Sequence, residues 1–386
     1  MIRKRRSGLI KGMAKVSVDP RLISSMLKNR HKTADQAAAE LDLKHGTLHD
    51  YIRVETEIEL TDIKRIAKYF KKPWTYLLLE GEEKLPPIKN DNRTVSNRKA
   101  GLSAEMIREL ERSNLTLTMA HELFSDVKAD VYKPSALQSS STSALAKSVR
   151  AEIGVSLETQ MSFANEYAAL RAWIEALQAK NIYVAQRKIP EEDIRAYSLK
   201  LDGKALIVVD TGDLPYARIF SLFHEYCHLM ANDTGICDLD DHSRVEQRCN
   251  AFAAAFLMPR LAVISAVNDY TFGEDRDQDE KMVGHLSKTF SVSVASMLLR
   301  LSELKVLSYP YYNVLEDRRR SRYKGSKGGY SDPNRRVLNS VGTRLAGDIF
   351  SALDGGAIDR KDASVLFGVG EHRVDMLKEK FYSAGS

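Results

Sequence analysis

The sequence predicts a mainly helical α+β protein of more than one domain, and three observations predict it. Short apolar clusters separated by turn-like breaks fill residues 17–80, apolar residues recur at helical spacing from Ser156 to Lys180, and three strand-like runs follow between Asn181 and Asp210. A chain of 386 residues is too long for one ordinary core, so two or three domains are expected. With 43% hydrophobic and 28% charged residues the chain reads as globular, not disordered. No run reaches the roughly eighteen consecutive apolar residues of a membrane-spanning helix, so no membrane partner is expected. The basic start, with Arg3, Lys4, Arg5, Arg6, Lys11 and Lys15, is followed by no apolar segment. It does not read as a secretory signal, and a cytoplasmic address is expected.

Residues 1–80 form the first expected domain, built of short helices without a strand. Ala34 to Leu41 is helical in composition, Asp42 breaks it, and Lys44 to Arg53 starts a second helix. This is a helix-turn-helix pattern, with small Ala38 at the crossing, Leu41 and Leu43 turned inward and Leu48 anchoring the second helix. Asp42 stands where glycine is usual, and aspartate tolerates the left-handed backbone better than most residues. If the second helix enters a major groove, Lys44, His45, Thr47 and His49 are placed to reach bases or phosphates. Residues 1–100 carry 22 Lys and Arg against 13 Asp and Glu, a net of +9, while the rest of the chain sums to −3. A basic first third on a near-neutral body points to nucleic acid as a partner of that domain. The competing reading is a helical interaction module with a solvated basic surface, and the acidic run Glu55 to Glu59 works in its favour.

Residues 81–145 read as a linker around Pro86 and Pro87 and a charged helical segment that ends in the Ser-rich stretch Ser139 to Ser143. A metal-binding domain is expected over 146–310. In its stripe Phe163, Tyr167, Leu170, Trp173, Ile174 and Leu177 are core positions. Asn181 to Lys188, Arg195 to Leu201 and Ala205 to Asp210 are its strands. Beyond Pro259 the chain is helical to about Leu307. Residues 311–386 are expected to hold a mobile basic loop, Asp317 to Arg336, then helices, with a helix-turn-helix rhythm from Arg360 to Lys380.

The chemistry lies in His224-Glu225-Tyr226-Cys227-His228. Residues four apart on a helix stand one above the other, so the two imidazoles face one point, as a tetrahedral zinc requires of two ligands from one element. Glu225 lies about 100° round the helix, near enough to act on a water without being a ligand. Zinc acidifies such a water, and a carboxylate can take its proton and hand it to a leaving amine, which makes peptide-bond hydrolysis the natural reaction. The flanks Ile219, Leu222, Phe223, Leu229 and Met230 mark the helix as buried, and buried histidines beside a buried glutamate are costly without a partner. For the third ligand Glu246, opening a clean helix, is preferred over His242 in an acidic loop, because a ligand on a packed helix is better fixed. Cys227, Cys237 and Cys249 all fall in this segment; they are too few for a disulfide scaffold and read as small semi-buried side chains, with thiol ligation the alternative. Two imidazoles and a carboxylate also accept manganese or iron.

The run His224 to His228, taken with Glu246-Gln247-Arg248-Cys249-Asn250-Ala251-Phe252-Ala253 and Leu257-Met258-Pro259, resembles the ImmA/IrrE family of metallopeptidases. The N-terminal region, including Lys72-Pro73-Trp74-Thr75-Tyr76-Leu77, is similar to the helix-turn-helix domain often fused to that peptidase. The resemblance implies a zincin-like domain with zinc on His224, His228 and Glu246 and Glu225 as general base. It also implies a narrow-specificity protease that cuts a DNA-binding repressor, often encoded nearby, in stress-response, mobile-element or toxin-antitoxin control. Ile52 departs from the acidic residue usual after Tyr51. The alternative is a transcriptional regulator or toxin-antitoxin component whose metal site is structural or vestigial. For the oxyanion, Tyr216, Tyr226 and His242 stand close in sequence only.

Overall fold

A computed structural model describes residues 15–30, 32–41, 43, 47–53, 56–70, 72, 74–83, 103–123, 141–201, 203–231, 235–236, 244–322 and 332–383. In chain order the elements are β1 (Lys15–Val18), α1 (Pro20–Asn29), α2 (Ala34–Leu41), α3 (Thr47–Arg53), β2 (Thr56–Glu59), α4 (Leu60–Tyr69), a 3-10 turn (Trp74–Leu78) and α5 (Ala104–Leu123). They continue with α6 (Thr142–Ile153), α7 (Leu157–Met161), α8 (Glu166–Gln178), β3 (Ile182–Arg187), β4 (Ala196–Leu201), β5 (Lys204–Asp210), α9 (Pro215–Ala231), β6 (Gly235–Ile236) and α10 (Arg244–Leu257). The last are α11 (Arg260–Ala266), α12 (Arg276–Thr289), α13 (Val294–Glu303), α14 (Tyr309–Arg322), α15 (Pro333–Val341), α16 (Thr343–Asp354), α17 (Arg360–Phe367) and α18 (Val374–Ser383). The fold is therefore mainly helical with small sheets, in line with α+β. Two compact units form, one from residues 1–86, 110–128 and 332–386, the other from 87–109 and 129–331.

In the first unit, α1 and α4 turn Leu22, Ile23, Met26, Ile63 and Ile66 inward. α2 and α3 occupy the segment expected to form two helices, with Ala38, Leu41 and Leu48 buried and Leu43 half-buried. The expectation of no strand in residues 17–80 is corrected: β1 and β2 pair antiparallel, Val16 facing Ile58. Each has four residues, too short for alternation to stand out against its helical neighbours. Within the acidic run Glu55 to Glu59, Ile58 is buried in that ribbon. The C-terminal helices join this unit through Trp74, whose backbone N–H donates to Asp362 at 3.1 Å and whose indole N–H donates to Asp359 at 3.1 Å. Those two aspartates form the capping box that starts α17, and Gly368 ends it in the left-handed conformation at φ 67°.

In the second unit the three expected strands are present, with order β3-β5-β4-β6; β3 runs parallel to β5, and β4 antiparallel to it. Every residue of β5 is buried, as its continuous apolar run requires. The two-residue β6 was not foreseen. The single stripe from Ser156 to Lys180 is corrected to two helices, because Asn165 accepts the N–H groups of Tyr167 and Ala168 and so starts α8 afresh. That cap leaves Tyr167 59% exposed, outside the core, while Leu170, Trp173, Ile174 and Leu177 are buried. The basic loop expected from Asp317 to Arg336 is also corrected. Residues 317–322 complete α14, Pro333 opens α15 behind the cap Asp332, and 323–331 lie outside the described residues. Ion pairs hold the arginine-rich end: Arg318 and Arg322 reach Asp277 and Glu280 on α12, and Arg319 and Arg320 reach Glu316 one turn back.

Candidate metal centre

Helix α9 is held by its apolar side. Phe223 stacks on Phe256 of α10 at 4.1 Å and meets the Trp173 ring edge at 4.9 Å, with Ile219, Leu222 and Met230 in the same core. Alanines 253, 254 and 255 let α10 approach closely. The far end of α10 is fixed by its carbonyls, which a helix cannot satisfy internally. Arg150 takes that of Phe256, Gln160 that of Leu257 at 2.8 Å and Arg300 that of Met258 at 3.1 Å. The Arg150 guanidinium also lies over the Phe256 ring at 4.5 Å, and burial brings its pKa down to about 10.

These constraints bring three predicted residues together. His224 Nε2 stands 3.0 Å from one carboxylate oxygen of Glu246, His228 Nε2 stands 3.0 Å from the other, and the two nitrogens are 3.1 Å apart. The three form a group able to hold a metal ion, their ligand atoms within 4.8 Å of one another. Two nitrogens about 2.0–2.1 Å from a tetrahedral zinc stand roughly 3.3 Å apart, so the spacing fits such an ion with little movement. Burial pushes the Glu246 carboxyl up, but hydrogen bonds from His224 and His228 and their charge outweigh it and hold the pKa at about 2. Its place in the first turn of α10 favours the anion as well. Burial lowers His228, yet the bond to Glu246 and the charges of Glu225 and Glu246 leave it above the ordinary value.

Glu225 is buried, 1% exposed, and its carboxylate is close enough to act electrostatically on His228. In the sequence Asn250 stands out only as part of a motif. Its Oδ1 lies 2.9 Å from His224 Nδ1. A carbonyl oxygen only accepts, so Nδ1 donates to it and Nε2 is left to face the Glu246 carboxylate. The available signal was its position four residues after Glu246, on the same helical face. Cys227 and Cys249 are buried, and the hydrogen bond from Cys249 brings the Cys227 thiol below its usual range. Cys237 and the alternative ligand His242 lie outside the described residues. Tyr216 is half-buried at the start of α9, and Tyr226 is fully buried with its pKa raised by desolvation.

Residues 177–302 match the model of the Peptidase_M78 family, the IrrE N-terminal-like domain. The match runs from the end of α8 through α13, so it takes in the whole cluster and supports the ImmA/IrrE resemblance and a metal-dependent, metallopeptidase-type function for that stretch. It does not reach residues 1–176. Comparison with curated proteins gives no match.

Of the residues expected to meet DNA, Lys44 and His45 lie outside the described set. Thr47 is half-buried at the start of α3, and His49 Nε2 is 2.9 Å from Asp35 of α2. No single helix among the described residues is long and apolar enough to cross a membrane.

Proposed function

We propose that the chain is a zinc-dependent endopeptidase that cuts one specific protein, a DNA-binding repressor encoded nearby. The observation that carries this reading is the convergence of half-buried His224 with buried His228 and Glu246 on two packed helices. These three side chains would hold zinc, which supplies Lewis acidity toward a water and the scissile carbonyl. Asn250 keeps His224 in the tautomer that presents its Nε2 lone pair. Glu225 takes a proton from the attacking water on its carboxylate and delivers it to the leaving amine nitrogen. The core rings of Phe223, Phe252 and Phe256 pack on one another and hold α9 against α10.

The first unit is read as a helix-turn-helix module of a cytoplasmic regulatory protein, with α3 as the helix that approaches DNA, in stress-response or related control. Its support is the pair α2 and α3 and the net +6 of residues 1–86, 18 Lys and Arg against 12 Asp and Glu. The test is to mix the zinc-loaded full-length protein with regulators encoded beside its gene and look for one discrete cleavage. Glu225→Gln should keep zinc and fold and lose the cut. Cleavage retained by Glu225→Gln overturns the assigned base. Zinc retention without any cleavage, together with operator binding, favours a regulator whose metal site is structural.

A further inference from the structure

The seam between α9 and α10 holds a second facing pair. Cys227 precedes His228 on α9, and Cys249 precedes Asn250 on α10. The contacts His224 with Asn250 and His228 with Glu246 set the helices antiparallel, 224 opposite 250 and 228 opposite 246. Each cysteine then lies about 100° back around its own helix from a residue that faces the partner helix. Because the helices run in opposite directions, equal backward rotations carry both side chains to the same side of the seam. There the two thiols hydrogen-bond, each 1% exposed, and neither belongs to the His224, His228 and Glu246 group.

We propose that Cys227 and Cys249 are a modification site, forming a reversible disulfide that staples the two helices. Helix rigidity keeps sulfurs in such a position paired with each other, while core packing shields both from larger thiols, so the coreactant is a small hydroperoxide. One sulfur attacks a peroxide oxygen, the O–O bond breaks, and a sulfenic acid and a first water form. The second sulfur attacks the sulfenic sulfur, the S–S bond forms as the S–O bond breaks, and a second water leaves. Two electrons pass from the two sulfurs to the peroxide, and the two thiol protons end in the waters. A dithiol reverses the step. The proposal stands on thiol placement alone, so it survives a failure of the peptidase reading.

The test uses full-length Cys237→Ser protein, in which two of the three cysteines remain. It is treated with hydrogen peroxide, alkylated after unfolding and digested without reductant. The expected result is a mass lower by two hydrogens, a peptide linking Cys227 to Cys249, and recovery of both thiols with dithiothreitol. The cross-link should also raise the unfolding midpoint by several degrees. Adding Cys249→Ala should abolish both the link and the rise. Two alkylated thiols after peroxide, or oxygen added at Cys227 without a linked peptide, overturns it. Should Cys237→Ser fold poorly, the peptide map of the unaltered chain decides: a 227–249 link supports the proposal, and a link from Cys237 to either overturns it.

Discussion

Two helix pairs carry the chemistry expected of this chain, and they treat their histidines in opposite ways. Where α9 crosses α10, the side chains of His224 and His228 are 12% and 3% exposed, and both lie 3.0 Å from a carboxylate that is 10% exposed. Where α2 meets α3, His49 is 42% exposed and faces Asp35, 67% exposed, at a similar distance of 2.9 Å. Distance alone does not separate the two pairs. Water does, because a low-dielectric seam makes each contact strong and each missing contact expensive, while solvent screens the surface pair. A buried constellation therefore has one arrangement to adopt, and a surface one has many.

The largest expected effects lie in the buried pair. His228→Ala or Glu246→Ala should lower zinc affinity by several orders of magnitude in competition with a chromophoric chelator, since each would remove one of the three proposed ligands. Affinity within tenfold of the parent in either variant would break the comparison at its centre. Asn250→Ala should cost 10- to 100-fold in the same titration, by freeing the His224 tautomer without removing a ligand. An unchanged affinity would show that α9 packing alone orients His224.

Next in size is the clamp on α10. Arg150→Met leaves the Phe256 carbonyl short of its donor and removes the cation over that ring, so a loss of about 1–3 kcal/mol is expected in chemical denaturation of the second unit. A neutral result would mean that ring packing, not carbonyl capping, holds the helix.

Both pairs were legible in the sequence to different depths, for the same physical reason. The imidazoles of His224 and His228 and the carboxylate of Glu246 converge because helical periodicity and burial leave their helices few other ways to pack. Asn250 escaped because a side chain that supports a ligand carries no chemical signature of its own. β1 and β2 escaped because four residues hold too little periodicity. The end of α14 has the sequence signature of a loop because its arginines show no apolar stripe, although Asp277, Glu280 and Glu316 neutralise them. The break before α8 was carried by one asparagine side chain, which pattern counting passes over.

A pH titration sharpens the contrast within the first unit, where burial also acts on a carboxyl. Desolvation and the neighbouring charge of Asp359 raise Asp362 from 3.8 to about 6. The folded state then binds more protons than the unfolded one between about pH 4 and 6, so stability falls as pH rises through that window and is lowest above it. The expected change is at most about 3 kcal/mol in urea denaturation. Asp19, held at about 2 by Arg21 against the opposing pull of burial, contributes below that window and leaves it clear. Asp362→Asn should flatten the profile, and an unaltered slope in that variant would assign it to other groups.

The smallest effect belongs to the exposed pair. His49→Ala removes a solvent-screened contact with Asp35 and should change stability by less than about 0.5 kcal/mol. Operator binding tests the same residue more severely. If α3 enters a major groove, breaking the pair frees Asp35, whose charge repels phosphate, and affinity should fall with no change in fold. A stability loss above 2 kcal/mol would mean that the α2–α3 contact behaves like a buried one despite its exposure. The difference between the two helix pairs would then lie in their local packing, not in their access to water.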